Sequence, residues 1–386
     1  MSALLRPFTG YIPTSEFAHR VVARQAARLS ADQREAARND PLSFRYSVGR
    51  GAGVSQAEAV EWLATCRDQG ALRPVGPAVL AYRQGDGDRA VTGIVADVSL
   101  SAYNSGLVKP HEKTIAKTAR KMADYMRTTR IYGNPVALAH RPRSGVDARI
   151  AAHTGRAADT IFTTFDGLTR QLWVIEGDEA VEVCQEFNDV LYITDGHHRL
   201  AAAALVARQE RRLEAGLPVG VFSSDQLTLR SFARCVVDPD LDTDTVVERI
   251  RSEHRMQEVT EFEARPRARF EFGVKIRTRY YRLQIDRRNI PADHYQSLDV
   301  NLLQDLILGP VLGITHPRLD KRLRFVADLP EARQAEINAD AWFLPFPAAV
   351  DDVMAVAGSG QVMPPKSTWF APKLPSGLVI RLLDGN

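Results

Sequence analysis

Apolar positions along the 386-residue chain recur at helical spacing in some segments and alternate in others. Their spacing predicts mostly helices in the first 75 residues, where "SQAE" at 55–58 is a capping-box pattern ahead of "AVEWLATC". Two apolar runs joined by Gly and Asp predict a hairpin over 78–100. A helix is expected from about Glu112 to Arg127.

The middle and the end of the chain mix short strands and helices. "PVALAH" and "DVLYIT" predict strands, "FDGLTRQLWVI" predicts a hairpin around Asp166 and Gly167, and "EAVEVCQEF" predicts a short helix. Beyond about Gln226, strands are expected at "LRSFARCVV" and "RFEFGVKIRTRYYRLQID", and helices at "TDTVVERIRSEH" and "VNLLQDLIL". Because strands and helices do not alternate regularly, an α+β (mixed α/β) fold is favoured over a doubly wound parallel sheet.

The length of the chain favours two domains. We place them at 1–225 and 226–386, with a soft boundary between Pro218 and Leu229. The tail "MPPKSTWFAPKLPSGLVIR" has too many prolines and apolar residues for a disordered end, so we expect it to pack back on the body.

Composition is that of a globular protein, with 45% hydrophobic and 25% charged residues. The chain has no run of 18 apolar residues, and "MSALLRPFTG" lacks the apolar region of a secretory signal. Cys66, Cys184 and Cys235 are too widely spaced for a disulfide framework or a CxxC pair, which fits a reducing compartment. We therefore expect a cytoplasmic protein with no membrane partner.

Charge is informative in its distribution rather than in its sum. The formal net charge of +3 gives no global basic field, so nucleic acid is not expected as a partner. Lysine is rare, with eight lysines against forty-two arginines. Four lysines fall in "KPHEKTIAKTARK", and Lys366 and Lys373 flank "STWFAP". A compact ammonium kept at these places indicates function, with chance clustering as the alternative.

The string "LYITDGHHRLAAAAL" at 191–205 places polar residues where a strand gives way to a helix. Unpaired N–H groups and the helix dipole make such a point favourable for an anion. Gly196 allows a ligand close to the backbone, and Asp195 suits Mg²⁺ shared with phosphates. His197, His198 and Arg199, on the first helical turn, can donate to phosphoryl oxygens.

Other interpretations of that string exist. Asp195 as an ordinary N-cap beside surface histidines is one of them. Zinc is disfavoured because adjacent histidines diverge on a helix and no third ligand lies at recognisable spacing. P-loop, GxSxG and HExxH motifs are absent from the sequence, which excludes the familiar scaffolds that carry them.

A second candidate is "KPHEKT" at 109–114. Pro110 suits the first position of a helix, and Glu112 would lie in the first turn, where the dipole stabilises a carboxylate. Lys113, Lys117 and Arg120 would then share one helix face. Taken alone, this pattern is also typical of a solvated helix face.

Together, "KPHEKT" and "ITDGHHRLAA" resemble motifs of the free serine kinases of the ParB/sulfiredoxin superfamily, a Pro-His-Glu element and a later Asp-Gly-His-His-Arg. Over nearly its whole length the chain also resembles the 1015 family of domains of unknown function, in "RPFTG", "NDPLSF", "PHEKT", "LWVI", "DGHHR" and "MPPKSTWFAPKLPSGLV". The resemblance implies a ParB/sulfiredoxin-like catalytic core with an N-terminal extension and a C-terminal α+β domain that packs back on it.

The chain departs from other branches of that superfamily. Sulfiredoxins have a reactive cysteine where this chain has His197, and ParB proteins have Gly-Glu-Arg-Arg at the turn and a helix-turn-helix that we do not find here. The Pro-Pro-Tyr-Asp element common in the family's early segment is absent from "VVARQAARLSADQ". The donor end of the site is therefore better marked than the acceptor end.

The resemblance implies a small-molecule kinase that transfers a phosphoryl group from ATP, ADP or pyrophosphate to free L-serine, or to a similar amino acid. Glu112 would be the general base, and Asp195 would hold Mg²⁺. The remaining expected site residues are a catalytic His198; donor contacts from Gly196, His197, Arg199, Lys113 and Lys117; and closure by Lys366, Ser367 and Thr368.

Two other functions remain open from the sequence. A non-catalytic regulatory protein would use the same turn to bind a nucleotide or a phosphorylated metabolite. A DNA-associated protein would bind duplex DNA in a salt-dependent way, and the near-neutral charge argues against it.

Overall fold

A computed structural model describes residues 3–22, 30–49, 53–87, 90–164, 167–212, 214–329 and 338–383. The chain forms two compact units. The first runs to Leu227 and takes up the chain again from Pro372, and the second is Thr228–Ala371. The second unit is therefore an insertion in the sequence of the first. Mixed strands and helices in several sheets confirm the expected α+β class.

The first unit is built on a ten-stranded sheet. Its strands are β1 (Leu5–Arg6), β2 (Phe8–Pro13), β3 (Leu72–Gln84), β4 (Val91–Ser99), β5 (Val108–Lys109), β7 (Val136–His140), β8 (Thr160–Thr163), β9 (Thr169–Glu176), β10 (Leu191–Asp195) and β11 (Gly216–Ser223), while β6 (Ile131–Tyr132) pairs elsewhere. The order is β5-β10-β7-β11-β4-β3-β9-β8, with β1 on β4 and β2 on β3. Only the β5–β10 and β11–β7 pairs are parallel among the described strands.

Helices of the first unit cover the sheet. They are α1 (Ala18–Val21), α2 (Ala31–Asn39), α3 (Gln56–Asp68), α4 (Leu100–Asn104), α5 (Ala116–Thr129), α6 (Ser144–Thr154), α7 (Gly177–Gln185) and α8 (His197–Gln209), with a 3₁₀ turn at Ser224–Gln226. Helices α5 and α8 follow the two motifs. The alanines of α8 are mostly buried, and the small side chains let it pack closely on α5.

Several sequence predictions for this unit are confirmed. The capping box of α3 forms, with the Ser55 hydroxyl accepting from the Glu58 N–H and the Glu58 carboxylate accepting from the Ser55 N–H. Both hairpins form, as β3–β4 and β8–β9. Residues 88–89 and 165–166, in the two hairpin turns, lie outside the described residues, as do residues 23–29 of "VVARQAARLSADQ".

The prediction of mostly helices in the first 75 residues is wrong at both ends of that stretch. Residues 5–13 form β1 and β2, and β3 begins at Leu72. The apolar residues Leu5, Phe8 and Ile12 are buried by joining a large sheet, a long-range contact that helical spacing does not register.

The end of the chain is anchored in the first unit by backbone hydrogen bonds. Strand β20 (Arg381–Leu382) pairs antiparallel with β6. Tyr11 and Ile380 exchange N–H···O bonds of 2.7 and 2.9 Å, and the Gly377 N–H donates to the Gly133 carbonyl at 2.7 Å. The expectation that the tail packs back on the body is thereby confirmed for residues 372–383.

A buried ion pair also fastens this segment. Nη2 of Arg381 lies 3.0 Å from Oδ2 of Asp97, whose side chain is 1% exposed. Neither Asp97 oxygen has an aligned hydrogen bond from the described residues. Burial therefore raises the pKa of Asp97 to about 6, although Arg381 and Arg6 oppose the shift.

This buried carboxyl predicts a pH dependence of stability. Because the folded state holds the proton of Asp97 up to about pH 6, while the unfolded chain releases it near 3.8, stability falls as pH rises through this window. Relative to Asp97→Asn, the wild type should lose on the order of 3 kcal/mol of unfolding free energy between pH 4 and pH 7. Urea unfolding of both proteins across that range measures the difference, and a constant difference would contradict the prediction.

The second unit has its own sheet and core. Its strands are β12 (Thr228–Arg230), β13 (Phe232–Val236), β14 (Arg255–Val259), β15 (Glu271–Ile276), β16 (Arg279–Gln284), β17 (Leu323–Ala327), β18 (Ala341–Pro345) and β19 (Trp369–Ala371). Its helices are α9 (Thr243–Glu253), α10 (Asp299–Leu302), a π-helical turn at Leu303–Leu308, a 3₁₀ turn at Arg287–Asn289, and α11 (Val350–Gly358).

Six of these strands form an antiparallel sheet in the order β14-β16-β15-β18-β13-β17, and β12 pairs with β19. Helices α9 and α10 and the π-helical turn contribute to one core cluster with the sheet. A cavity of about 730 Å³ in this unit is lined by Lys275, Tyr280 and Trp342 among others. None of the residues predicted to be in the site lines this cavity.

No helix within the described residues is long and apolar enough to cross a membrane. Cys66, Cys184 and Cys235 are all buried and unbridged, as their spacing predicts.

Candidate active site

Two parallel strands bring the two motifs of the first unit together. β5 runs parallel to β10, with Val108 opposite Leu191 and Lys109 opposite Tyr192. Because parallel strands end at the same edge of a sheet, "PHEKT" after β5 and "DGHHR" after β10 emerge side by side. The sequence interval of about 80 residues between the motifs is therefore closed by strand pairing.

The turn after β10 has the geometry that its glycine indicates. Gly196 is the N-cap of α8 and has φ 97°, in the left-handed region where glycine alone is unstrained. Because glycine has no side chain, the start of α8 has no side-chain capping bond from its N-cap residue. Asp195 is the last residue of β10 rather than an N-cap, and His197 is buried, so the alternative of an ordinary cap beside surface histidines is not what forms.

Two hydrogen bonds join the "PHEKT" loop to the first turn of α8. The backbone N–H of His111 donates to Nε2 of His197 at 3.3 Å, and the backbone N–H of Ile115 donates to Nε2 of His198 at 2.9 Å. Since each Nε2 is an acceptor, each neutral ring carries its proton on Nδ1. Any donation from these histidines to a phosphoryl oxygen would therefore come from Nδ1.

Burial keeps two of the rings neutral. His111 and His197 are both buried, and their rings meet edge to face with centroids 4.5 Å apart. Burial lowers the pKa of His111 to about 4, against a hydrogen bond to the Ile193 carbonyl that raises it. The pKa of His197 is lowered well below its ordinary value by burial and by its neighbour His111. The pair contributes shape and hydrogen bonding but no positive charge at neutral pH.

The carboxylate of Asp195 is paired with two cations. Its Oδ2 accepts from Nη2 of Arg199, and its Oδ1 accepts from Nζ of Lys373. Burial alone would raise the pKa of Asp195, but Arg199 and Lys373 outweigh it and lower the pKa to about 2. Asp195 is thus ionised at neutral pH.

The guanidinium of Arg199 is engaged within the fold. Its Nη1 donates to the carbonyls of Asn134 and Pro135 at 2.8 and 2.7 Å, while its Nη2 holds Asp195. These bonds tie the first turn of α8 to the segment that leads into β7. This geometry gives Arg199 a positioning role, and the donor binding predicted for it from the sequence stays a prediction.

The predicted helix start at Glu112 is wrong. Helix α5 begins at Ala116, with Ile115 as an N-cap that makes no side-chain bond. Residues 111–115 form an irregular loop with bends at His111 and Glu112, and the backbone N–H groups of His111 and Ile115 bond to the α8 histidines. Glu112 is half-buried in this loop, between the two bonded positions.

The lysines of the first motif therefore do not share a helix face as predicted. Lys113 is an exposed loop residue, whereas Lys117 and Arg120 are exposed on α5. Donor binding by Lys113 and Lys117 stays a prediction.

Lys366, Ser367 and Thr368 belong to the second unit, where Ser367 donates from Oγ to the Pro364 carbonyl at 2.7 Å. Their role in closing the site stays a prediction. Lys373, which the sequence singled out only as a rare lysine, belongs to the first unit and reaches Asp195. The signal for Lys373 in the sequence is the scarcity of lysine in an arginine-rich chain.

The residues at Asp195 do not fit a magnesium ion in this arrangement. Mg²⁺ is usually held by one or two carboxylates together with substrate phosphates. Here both oxygens of Asp195 are bonded to cationic side chains. Within the described part of the chain, no group of three or more His, Cys, Asp and Glu side chains is arranged to hold a metal. The arrangement favours a cation from the chain itself at this carboxylate.

Replacing Gly196 with alanine is expected to destabilise the first unit. An alanine at this position would have to adopt a positive φ, which is unfavourable for a residue with a side chain. Its Cβ would lie 2.9 Å from Nη2 of Arg199 and would displace the side chain that holds Asp195. Gly106→Ala is the matched control because Gly106 also has a positive φ, of 82°, but open space around the added Cβ. We expect Gly106→Ala to cost about 1 kcal/mol and Gly196→Ala about 2–3 kcal/mol in urea unfolding. An equal loss of unfolding free energy in the two variants would show that the contact of the added Cβ with Arg199 does not contribute to the cost.

Comparisons with solved structures find similar proteins at low identity. SbnI with C-terminal truncation from Staphylococcus aureus matches at 12% identity and a TM-score of 0.41, covering 76% of this chain and 90% of that one. A free serine kinase in complex with AMP matches at 18% identity and a TM-score of 0.36, covering 74% and 90%. A conserved hypothetical protein from Pyrococcus furiosus matches at 16% identity and a TM-score of 0.36, covering 76% of this chain and 96% of that one.

No curated protein matches the chain. The model of the family described as protein of unknown function (DUF1015) matches residues 5–301, more than half of the chain and including both motifs. The protein is therefore a member of the DUF1015 family.

Proposed function

We propose that this protein is a small-molecule kinase, which transfers a phosphoryl group from ATP, ADP or pyrophosphate to the hydroxyl of free L-serine or a similar amino acid. The observation that carries the proposal is the pair of hydrogen bonds from the "PHEKT" backbone to His197 and His198. These bonds join the loop that carries the Glu112 carboxylate to the N-terminus of α8, which is suited to phosphate. Phosphoryl transfer needs both a group that receives the acceptor's proton and a place that holds the donor phosphate.

The donor end of the site is favourable for phosphate by charge and by geometry. Helix α8 begins directly after Gly196, whose missing side chain lets a phosphate approach the backbone, and the positive end of the helix dipole favours an anion there. Asp195 carries one negative charge against the positive charges of Arg199 and Lys373, so this group has a net charge of +1. A fixed positive site of this kind stabilises the charge on a transferring phosphoryl group without reorganising.

The acceptor end of the site is assigned to Glu112. The backbone bonds at His111 and Ile115 join the loop on both sides of Glu112 to the first turn of α8, which supports a role for its carboxylate at the acceptor. From there Glu112 would accept the proton of the attacking hydroxyl as the oxygen–phosphorus bond forms. The donor's terminal bridging oxygen would leave with the electron pair of the broken bond.

The nucleotide in this proposal corresponds to what solved free serine kinases hold, AMP in one structure and ADP in another. For this chain the support is the chemistry of its own site and the resemblance of its two motifs to theirs.

Incubation of the purified protein with L-serine, MgCl₂ and each of ATP, ADP and pyrophosphate tests the proposal. Mass spectrometry should detect O-phosphoserine with at least one donor. L-Threonine and L-homoserine in place of serine test the acceptor. Turnover with one of these alone would keep the kinase and replace the substrate, whereas tight donor binding with no turnover on any acceptor would favour the regulatory protein.

A further inference from the structure

One side chain at the site comes from a part of the chain outside the family match. Lys373 lies beyond residue 301, where the match ends, and 178 positions from Asp195, which its Nζ contacts. Its side chain is only 16% exposed. Placing a lysine there costs desolvation, and one carboxylate already paired with arginine does not require a second cation.

The charge of Lys373 acts on the middle of the site. Burial is the main cause of the lowered pKa of His111 and of His197, and the charge of Lys373 adds to the lowering for both rings. The rings of His111 and His197 are neutral and add no positive charge at this place. Among the described residues, the cations that contact Asp195 directly are Lys373 and Arg199.

Lys373 and Arg199 differ in how they are held. Arg199 donates to two carbonyls as well as to Asp195, so its guanidinium is fixed in the wall of the site. Lys373 carries a compact charge on a stem that follows a proline, Pro372, and its Nζ contacts Oδ1 of Asp195.

The segment that delivers Lys373 is rigidly placed. The β20–β6 pairing, the Tyr11–Ile380 bonds and the Arg381–Asp97 ion pair hold it in the first unit. Leu374, the next residue, packs against Gly220 so closely that a Cβ there would lie 2.4 Å from Cδ1 of the leucine. The ammonium is therefore positioned before any ligand binds, as an effective phosphate contact requires.

We propose that Lys373 is a phosphate-binding residue of this site, whose ammonium is held on Oδ1 of Asp195 and contacts the terminal phosphate of the donor. It takes the place beside Asp195 that a metal ion would otherwise have. The identity of the donor rests on the proposed function, but binding of a phosphate group by Lys373 does not depend on serine being the acceptor.

Titration calorimetry on the full chain tests this inference. The proteins are the wild type, Lys373→Met, Lys373→Arg and the control Lys321→Met, which replaces an exposed lysine of the second unit. The probes are pyrophosphate, ADP and adenosine, each in EDTA so that no metal ion contributes. Circular dichroism and thermal unfolding establish that each variant is folded.

Lys373→Met should weaken the binding of pyrophosphate and ADP at least tenfold and leave adenosine unchanged, since a charge-assisted hydrogen bond to phosphate is lost. Lys373→Arg should bind pyrophosphate more tightly than Lys373→Met, and Lys321→Met should match the wild type.

The inference is overturned if Lys373→Met binds pyrophosphate within twofold of the wild type, if adenosine binding falls equally, or if the wild type binds neither phosphate probe in EDTA. Loss of pyrophosphate binding in Lys373→Met, together with a wild type that forms no O-phosphoserine, would support Lys373 and overturn the serine kinase. If the wild type forms O-phosphoserine and Lys373→Met binds pyrophosphate as the wild type does, the serine kinase is supported and the role of Lys373 is overturned.

Discussion

Replacing Glu112 with glutamine is expected to lower the rate of O-phosphoserine formation by roughly 10²–10⁴-fold, the usual contribution of a positioned acid or base. Glutamine keeps the size of the side chain and its place in the loop, which the backbone bonds at His111 and Ile115 fix. It cannot accept the proton of the acceptor hydroxyl. The affinity for ADP, measured by calorimetry, should therefore stay within about threefold of the wild type.

Glu61→Gln is the control for this change, because Glu61 is an exposed glutamate on α3 and should tolerate the substitution without loss of rate. A fall in ADP affinity that matches the fall in rate would make Glu112 a ligand for the donor instead of the base. A rate close to that of the wild type would remove Glu112 from the mechanism.

Replacing Asp195 with asparagine is expected to have the second large effect. The carboxylate holds both Arg199 and Lys373, and all three side chains are mostly buried. Without its charge the two cations repel each other across the site, and the first turn of α8 loses its tie to the C-terminal segment. We expect kcat/KM to fall at least 100-fold and the free energy of unfolding to fall by about 1–3 kcal/mol.

Asp124→Asn is the matched control, since Asp124 pairs with Arg127 on the surface of α5 and its side chain is 63% exposed. An exposed pair of this kind contributes at most about 1 kcal/mol and lies outside the proposed site. Activity of Asp195→Asn within threefold of the wild type would contradict the role given to the carboxylate. A large loss in both variants would point to general instability of the first unit.

The turn at "DGHHR" was predictable because its signals are local. An apolar strand, a glycine and an alanine-rich run predict a strand-to-helix turn at Asp195 and Gly196 with the histidines on the first helical turn, and the structure differs only in that Asp195 is the last residue of β10. Each of these features depends on residues within a few positions of one another.

The start of α5 was not predictable from the same kind of signal. Pro110 and Glu112 fit the first turn of a helix by propensity, but hydrogen bonds to His197 and His198 hold residues 111–115 in an irregular loop. Those partners lie more than 80 positions away in the sequence. A tertiary contact therefore overrides a local preference, as it does for the N-terminal strands β1 and β2.

The pairing of Lys373 with Asp195 also depends on topology that the sequence pattern does not contain. The whole second unit separates the two residues along the chain, and only the return of residues 372–383 to the first unit brings them together. The rarity of lysine drew attention to this residue, but its partner follows from the fold alone. The same contact turns the predicted metal ligand Asp195 into an anchor for two cations.

A crystal structure with ADP and L-serine bound tests the central claim most directly, that the two motifs form one phosphoryl-transfer site. We expect the terminal phosphate at the N-terminus of α8, within hydrogen-bond distance of Nζ of Lys373, and the serine hydroxyl facing the carboxylate of Glu112. Nucleotide bound away from Gly196 and Lys373, for example in the cavity of the second unit beside Trp342, would contradict the account.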